Sequence, residues 1–207
     1  MSLRQGSPVK RGAIVRAALE VFLREGYARA SVDAIAAAAG VSKRTIYDYY
    51  GDKEQLFLST LEETKEAQSA IGRDLLDRTL GRVDDIEKAL TAFGREFAGA
   101  IARSPERAAV MRLTIAEASH FPALLAPPSP DTSFQRALAD RLAALGEQGL
   151  LDVPDPMEAA EFLGLLVTGR VNNRSWFGAV PLDDAEISRL VDGGVRIFLR
   201  AYGRKRG

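Results

Sequence analysis

Two serines and two glycines constrain the N-terminal part of this chain more than any other feature. Ser31 stands before an alanine-rich run that ends at Gly40, and Ser42 stands before a second short run, Lys43 to Tyr50, that ends at Gly51. A serine hydroxyl can take up a free N–H of a helix's first turn, and glycine tolerates the positive φ of a residue that closes one. The pattern predicts two short helices around a tight turn at Gly40, the layout of a helix-turn-helix with residues 43–50 as its second helix. Ile35, Val41, Ile46 and Tyr50 have the spacing to hold the two together.

Helical periodicity continues through the rest of the 207 residues, with no convincing run of alternating β-branched residues. Ser7 and Pro8 open a first helix whose apolar face is Ile14, Ala18, Val21 and Phe22, stopped by Gly26. Asp52 and Gln55 form a capping box that opens a fourth helix, to about Asp77. Further helices are expected over about 83–103, 105–120 and 133–148, with the proline-rich segment 126–131 as a loop. Asp155, Pro156 and Glu158 start a helix to about Phe177, and Asp183 with Glu186 starts the last, to about Tyr202. The expected fold is all-α with about nine helices. A helix-turn-helix domain would occupy residues 1–50 and a C-terminal helical domain residues 51–207.

The 28 basic and 28 acidic residues cancel, but residues 1–50 hold eight of the former and four of the latter. A small excess of positive charge therefore sits on the part that looks like a helix-turn-helix. Ser42, Lys43 and Arg44 fall at a helix N-terminus, where basic side chains oppose the helix dipole and are better placed beside phosphates or base edges. Thr45, Tyr47 and Tyr49 add hydroxyls, and Lys53 stands within reach of backbone phosphate. The competing reading is a solvated amphipathic hairpin whose tyrosines only pack. With no cysteine and only His120 as imidazole, the chain is poorly supplied for metal, thiol or triad chemistry, so neither an enzyme nor a cofactor is expected. No apolar stretch approaches a membrane span, so a cytoplasmic location without a membrane partner is expected.

In the body, Phe93, Phe97, Met111, Ile115, Phe162 and Trp176 are either core residues or the lining of a cavity. His120, before Phe121 and Pro122, is better suited to capping a helix end than to binding a ligand. Ile187, Leu190, Val191, Val195, Phe198 and Tyr202 form one apolar face of the last helix. Met157, Phe162, Leu166 and Gly169 give the preceding helix a comparable one. Gly193 and Gly194 in mid-helix suggest close approach of another backbone. From the residues alone, these faces serve either the monomer's core or an interface.

The stretch Ser31 to Phe57 closely resembles the DNA-binding signature of the TetR family of transcriptional regulators. The resemblance lies in Ile-Ala-x-x-Ala-Gly-Val-Ser (35–42), Thr-Ile-Tyr (45–47) and Gly-Asp-Lys-Glu-x-Leu-Phe (51–57). Ile14 to Tyr27 is similar to the family's first helix, and Arg112 to Leu124 looks like the regulatory domain of the AefR-like branch. The resemblance implies a ligand-responsive regulator, in the usual mode a repressor, that binds a palindromic operator in double-stranded DNA as a homodimer. It implies DNA contacts at Ser31, Ser42, Lys43, Arg44, Thr45, Tyr47, Tyr49 and Lys53. Lys43, Tyr47 and Lys53 would hold phosphates, and Arg44 and Thr45 would read bases. Asp48 departs from the neutral or basic residue common in relatives and would pair with Arg44 or accept from a cytosine amine. The resemblance further implies dimerisation through the last two helices, with Phe162, Leu166, Leu190, Val191, Val195 and Phe198 at the interface. A small-molecule effector would bind in the body near the six residues named above. The alternative is a helical small-molecule-binding protein without sequence-specific DNA binding.

Overall fold

The computed structural model describes residues 7–125 and 134–204, so the expected loop at 126–131 lies outside the described residues. Among the described residues the chain is helical, with no strand and an isolated bridge between Leu151 and Gly203. Nine helices follow one another: α1 (Pro8–Arg29), α2 (Val32–Ala39), α3 (Lys43–Tyr50), α4 (Lys53–Leu80), α5 (Ile86–Ala102), α6 (Pro105–Glu117), α7 (Phe134–Glu147), α8 (residues 156–174) and α9 (Asp184–Tyr202). A 3₁₀ turn, Pro122–Leu125, follows α6. None of these helices is long and apolar enough to cross a membrane.

The chain divides into two compact units, Met1–Ala67 with Ala109–Ala126, and Gln68–Ala108 with Pro127–Gly207. Packing therefore cuts the chain differently from the expected boundary at residue 50, because α4 and α6 each contribute to both units.

The first unit is built on the α1 face read from the sequence: Ile14, Ala18, Val21 and Phe22 are buried against Ile35, Ile46, Leu56, Phe57 and Leu61. Each of the larger of these side chains contributes roughly 1.5–3 kcal/mol on leaving water. Val110 and Leu113 of α6, with Phe121 and Leu124, complete this core. Gly26 sits at φ 74° and ψ 168°, so the regular part of α1 ends where the sequence placed its stop. Thr60, Thr64 and Thr114 are buried, and each donates its hydroxyl to the carbonyl four residues earlier.

The second unit packs α9 on α5 and α8 around Leu90, Phe93, Leu138, Leu142, Leu163, Val167 and Val191. This arrangement corrects the assignment of the last helix. Leu190, Val191, Val195 and Phe198 are the inner face of α9, at most 5% exposed within the single chain, and cannot also face a partner. The close approach signalled by the mid-helix glycines is real but intramolecular, because a Cβ at Gly194 would collide with the Leu166 carbonyl of α8.

Helix α8 is regular over Pro156–Gly164, widens to a π-helix over Leu165–Gly169 and resumes over Arg170–Arg174. It stops short of the expected Phe177. Ser175 is buried and accepts the Gly178 N–H, while Trp176 and Phe177 adopt left-handed backbone at φ 48° and 53°. Trp176 is thereby left 73% exposed.

Candidate nucleic-acid interface

Helices α2 and α3 form the expected motif through the expected caps. Ser31 Oγ accepts the Ala34 N–H and Ser42 Oγ accepts the Thr45 N–H, both at 3.1 Å. Gly40 closes α2 in the left-handed region at φ 66°, and its N–H reaches back to the Ala36 and Ala37 carbonyls. Ile46 and Tyr50 bury one face of α3 in the first unit's core, while Lys43, Arg44, Tyr47 and Asp48 stand exposed on the other. A short helix anchored on one side and bare on the other has the form that enters a major groove.

The eight expected contact residues fall into distinct states. Arg44 is exposed and has no hydrogen bond or ion pair among the described residues, so its guanidinium fork is free. Lys43 is not free: its ammonium meets the Asp33 carboxylate of α2 at 2.8 Å, an exposed pair that also pushes the Lys43 pKa up. Thr45 is half-buried, with its hydroxyl 2.8 Å from Ser42 Oγ. Both serine oxygens serve as caps; the Ser31 hydroxyl keeps its proton for a further acceptor such as phosphate, and of Ser42 and Thr45, which share one hydrogen bond, one hydroxyl proton is left over. Tyr47 is 40% exposed, whereas Tyr49 is half-buried with its ring centroid 6.4 Å from that of Tyr50. Lys53 rests over the Tyr27 ring, 4.6 Å from its centroid. The expected pairing of Asp48 with Arg44 is not formed among the described residues.

Tyr50, the last residue of α3, buries its ring beneath the Arg11 guanidinium, 5.8 Å from the ring centroid, and Arg11 is tied to Glu63 of α4 at 2.6 Å. Its hydroxyl is buried without a hydrogen-bond partner, and burial pushes its pKa up to about 12. A phenol whose folded pKa exceeds its unfolded value of about 10 contributes stability below that value. The contribution is lost as pH rises from 10 towards 12. Tyr50→Phe is therefore expected to leave stability at neutral pH unchanged or slightly higher. It should also remove part of the alkaline loss, read by denaturant unfolding at neutral and alkaline pH.

Three participants escaped the sequence reading: Asp33, Arg11 and Tyr27. A first-turn acid on α2 was visible at Asp33, but only the fold puts it beside Lys43.

The expected effector residues are dispersed. Phe93 is fully buried, and Met111 and Ile115 are exposed residues of the first unit. Phe97 does border a groove. It is open, apolar and about 270 Å³ in volume, lined by Phe97 with Phe134, Leu138, Gly164, Leu165 and Thr168 among others. The Phe97 and Phe134 rings stack at 4.7 Å, and the Phe134 ring lies so close to Gly72 of α4 that a Cβ there would stand 2.6 Å from it.

The pattern that defines the bacterial regulatory proteins of the tetR family matches residues 14–60, spanning α2, α3 and the turn between them. The pattern of the AefR-like transcriptional repressor C-terminal domain matches residues 88–204, more than half of the chain. The chain belongs to the TetR family. It is a DNA-binding transcriptional regulator and not an enzyme, and the reading without sequence-specific DNA binding is not favoured. Among TetR-family relatives, it is 27% identical to the DNA-binding transcriptional repressor TetR of Mycobacteroides abscessus, over 93% of this chain and 95% of that protein. A TetR-family regulator from Mesorhizobium loti superposes with a TM-score of 0.85 at 27% identity, covering 96% of this chain and all of the other. The flavonoid-responsive regulator FrrA superposes with a TM-score of 0.70 at 29% identity, covering 97% of this chain and all of the other.

Proposed function

We propose that this TetR-family protein is a cytoplasmic repressor that binds a palindromic operator as a homodimer and releases it when a small apolar molecule occupies the second unit. The observation that carries the operator reading is the state of α3, seated by Ile46 and Tyr50 with an unengaged Arg44 on its bare face. Arg44 is the base reader, able to meet guanine through two parallel hydrogen bonds. Tyr47 and Lys53 hold phosphates, and Ser31, Ser42, Thr45 and Tyr49 support them with hydroxyls. Lys43 joins them by exchanging Asp33 for phosphate.

Dimerisation is assigned to the outward faces of α8 and α9. Phe162 and Leu165 on α8 and Ile197 on α9 are 44%, 57% and 54% exposed, a set of large apolar side chains that a two-fold contact would cover. The exposed residues of α8 include Glu158 and Glu161, and those of α9 include Arg189, Arg196 and Arg200, so opposite charges are available across such a contact.

The effector site is assigned to the groove at Phe97 and Phe134, whose lining favours a flat, ring-bearing molecule. That one neighbour is flavonoid-responsive fits this chemistry. Phe134 links the groove to α4 through Gly72, and α4 contributes to both units. A coupling of about 1–3 kcal/mol is enough to lower operator affinity substantially.

Selection from a random DNA pool by the purified protein at near-physiological salt is the test. Enrichment of a palindrome is expected, and Tyr47→Ala should weaken binding to all sequences alike. Failure to enrich any sequence at any salt concentration would overturn the operator reading.

A further inference from the structure

The break at Gly26 has a chemical consequence. Its ψ of 168° turns the following peptide out of the helical direction, and the Tyr27 N–H donates to Glu117 Oε1 at 3.2 Å. Glu117 is the last residue of α6, and its side chain is only 15% exposed. Its other carboxylate oxygen faces His120 Nδ1 at 3.5 Å. A carboxylate so far withdrawn from water requires donors, and the backbone of Tyr27 supplies one.

The Tyr27 ring is in turn boxed by Phe57 and Phe121, at centroid distances of 5.0 and 4.6 Å. Its face carries the Lys53 ammonium, which also donates to the Ala28 carbonyl at 3.3 Å. A cation over an aromatic face is held by the ring quadrupole. Lys53 opens α4, just past the turn that ends the recognition helix α3. The contacts form a chain: Glu117 fixes the Tyr27 backbone, Tyr27 presents its ring, and the ring seats the ammonium.

We propose that Glu117 is a positioning residue for DNA binding: through Tyr27 it fixes the Lys53 ammonium where a backbone phosphate can take it. The inference rests on the reading of Lys53 as a phosphate contact. Without Glu117 the Tyr27 N–H loses its acceptor, and the backbone that carries both the ring and the Ala28 carbonyl loses its tie, so the two-point seat of Lys53 is displaced. The end of α6 thus influences affinity without touching DNA.

The test uses the full chain and a mixed-sequence duplex several helical turns long, titrated over a range of salt concentrations. Each phosphate neutralised by a lysine adds about 0.9 to the slope of log affinity against log salt. Lys53→Ala is expected to lower the slope by about that amount for each lysine removed. Glu117→Leu should weaken binding several-fold and lower the slope in the same direction. Glu117→Gln, whose amide oxygen still accepts from Tyr27, should keep the wild-type slope. The double variant Glu117→Leu with Lys53→Ala should bind no more weakly than Lys53→Ala alone, because the two act through one cation.

A folded Glu117→Leu protein with the wild-type slope, or losses that multiply in the double variant, would overturn the proposal. If Glu117→Leu fails to fold, Tyr27→Leu keeps the backbone donor but removes the seat. It must then reproduce the slope of Lys53→Ala, and the proposal falls if it does not. If Lys53→Ala itself leaves the slope unchanged, the phosphate reading of Lys53 fails, a different outcome from failure of the Glu117 link alone.

Discussion

Arg44→Ala is expected to relax base preference at one position in each half of the operator and to weaken binding there by about 1–3 kcal/mol per head. If two heads engage a palindrome as proposed, the combined loss would reach about 6 kcal/mol at the upper end, enough to reduce specific binding to the non-specific level. The basis is that Arg44 stands exposed with no partner among the described residues, so no internal contact competes for its fork. Competition among operator duplexes with single base-pair changes reads the effect. Loss of discrimination confined to one symmetric pair of positions supports base reading by Arg44. Uniform weakening across all of them would move Arg44 to phosphate and leave base reading to other side chains of α3.

Phe57→Ala is expected to destabilise the first unit by about 3–5 kcal/mol, the usual cost of emptying a fully buried aromatic site. Phe57 has no exposure and meets Phe22, Tyr27 and Phe121 at centroid distances of 4.9, 5.0 and 5.3 Å. Removing the ring therefore opens a cavity that rigid neighbours cannot readily fill. Denaturant unfolding should show the loss, accompanied by weaker binding to every duplex because the seat of α3 softens. A cost below about 1 kcal/mol would mean that the surrounding rings collapse into the space.

Much of this was legible in the sequence where the determining interactions are local. The caps at Ser31, Ser42, Asp155 and Asp183 and the stops at Gly26 and Gly40 depend on neighbours within one helical turn, and each is found in the structure. The inner faces of α8 and α9 were visible as apolar stripes, but a stripe does not state what covers it. The residues alone leave open whether that stripe meets the core or a partner and the resemblance implies a partner, but Leu190, Val191, Val195 and Phe198 are interior, while Phe162, Leu165 and Ile197 are exposed. The close approach at Gly194 was foreseen, but its partner is the Leu166 carbonyl of the same chain. The π-helical turn at Leu165–Gly169 left no pattern that distinguishes it from ordinary helix. Nor could the bond from Tyr27 to Glu117, ninety residues away in sequence, be inferred from either residue's neighbours.

The ion pair between Lys43 and Asp33 bears on how such a protein searches a chromosome. A cation already engaged by its own acid draws less on the diffuse counterion atmosphere that surrounds any duplex, so random DNA holds the head more weakly. Dwell times on irrelevant sequence shorten, and more of each encounter is spent in transit. If Arg44 reads a base and Lys43 holds phosphate as proposed, a matching site would let phosphate displace Asp33, and the lysine's charge would then be used at the right address.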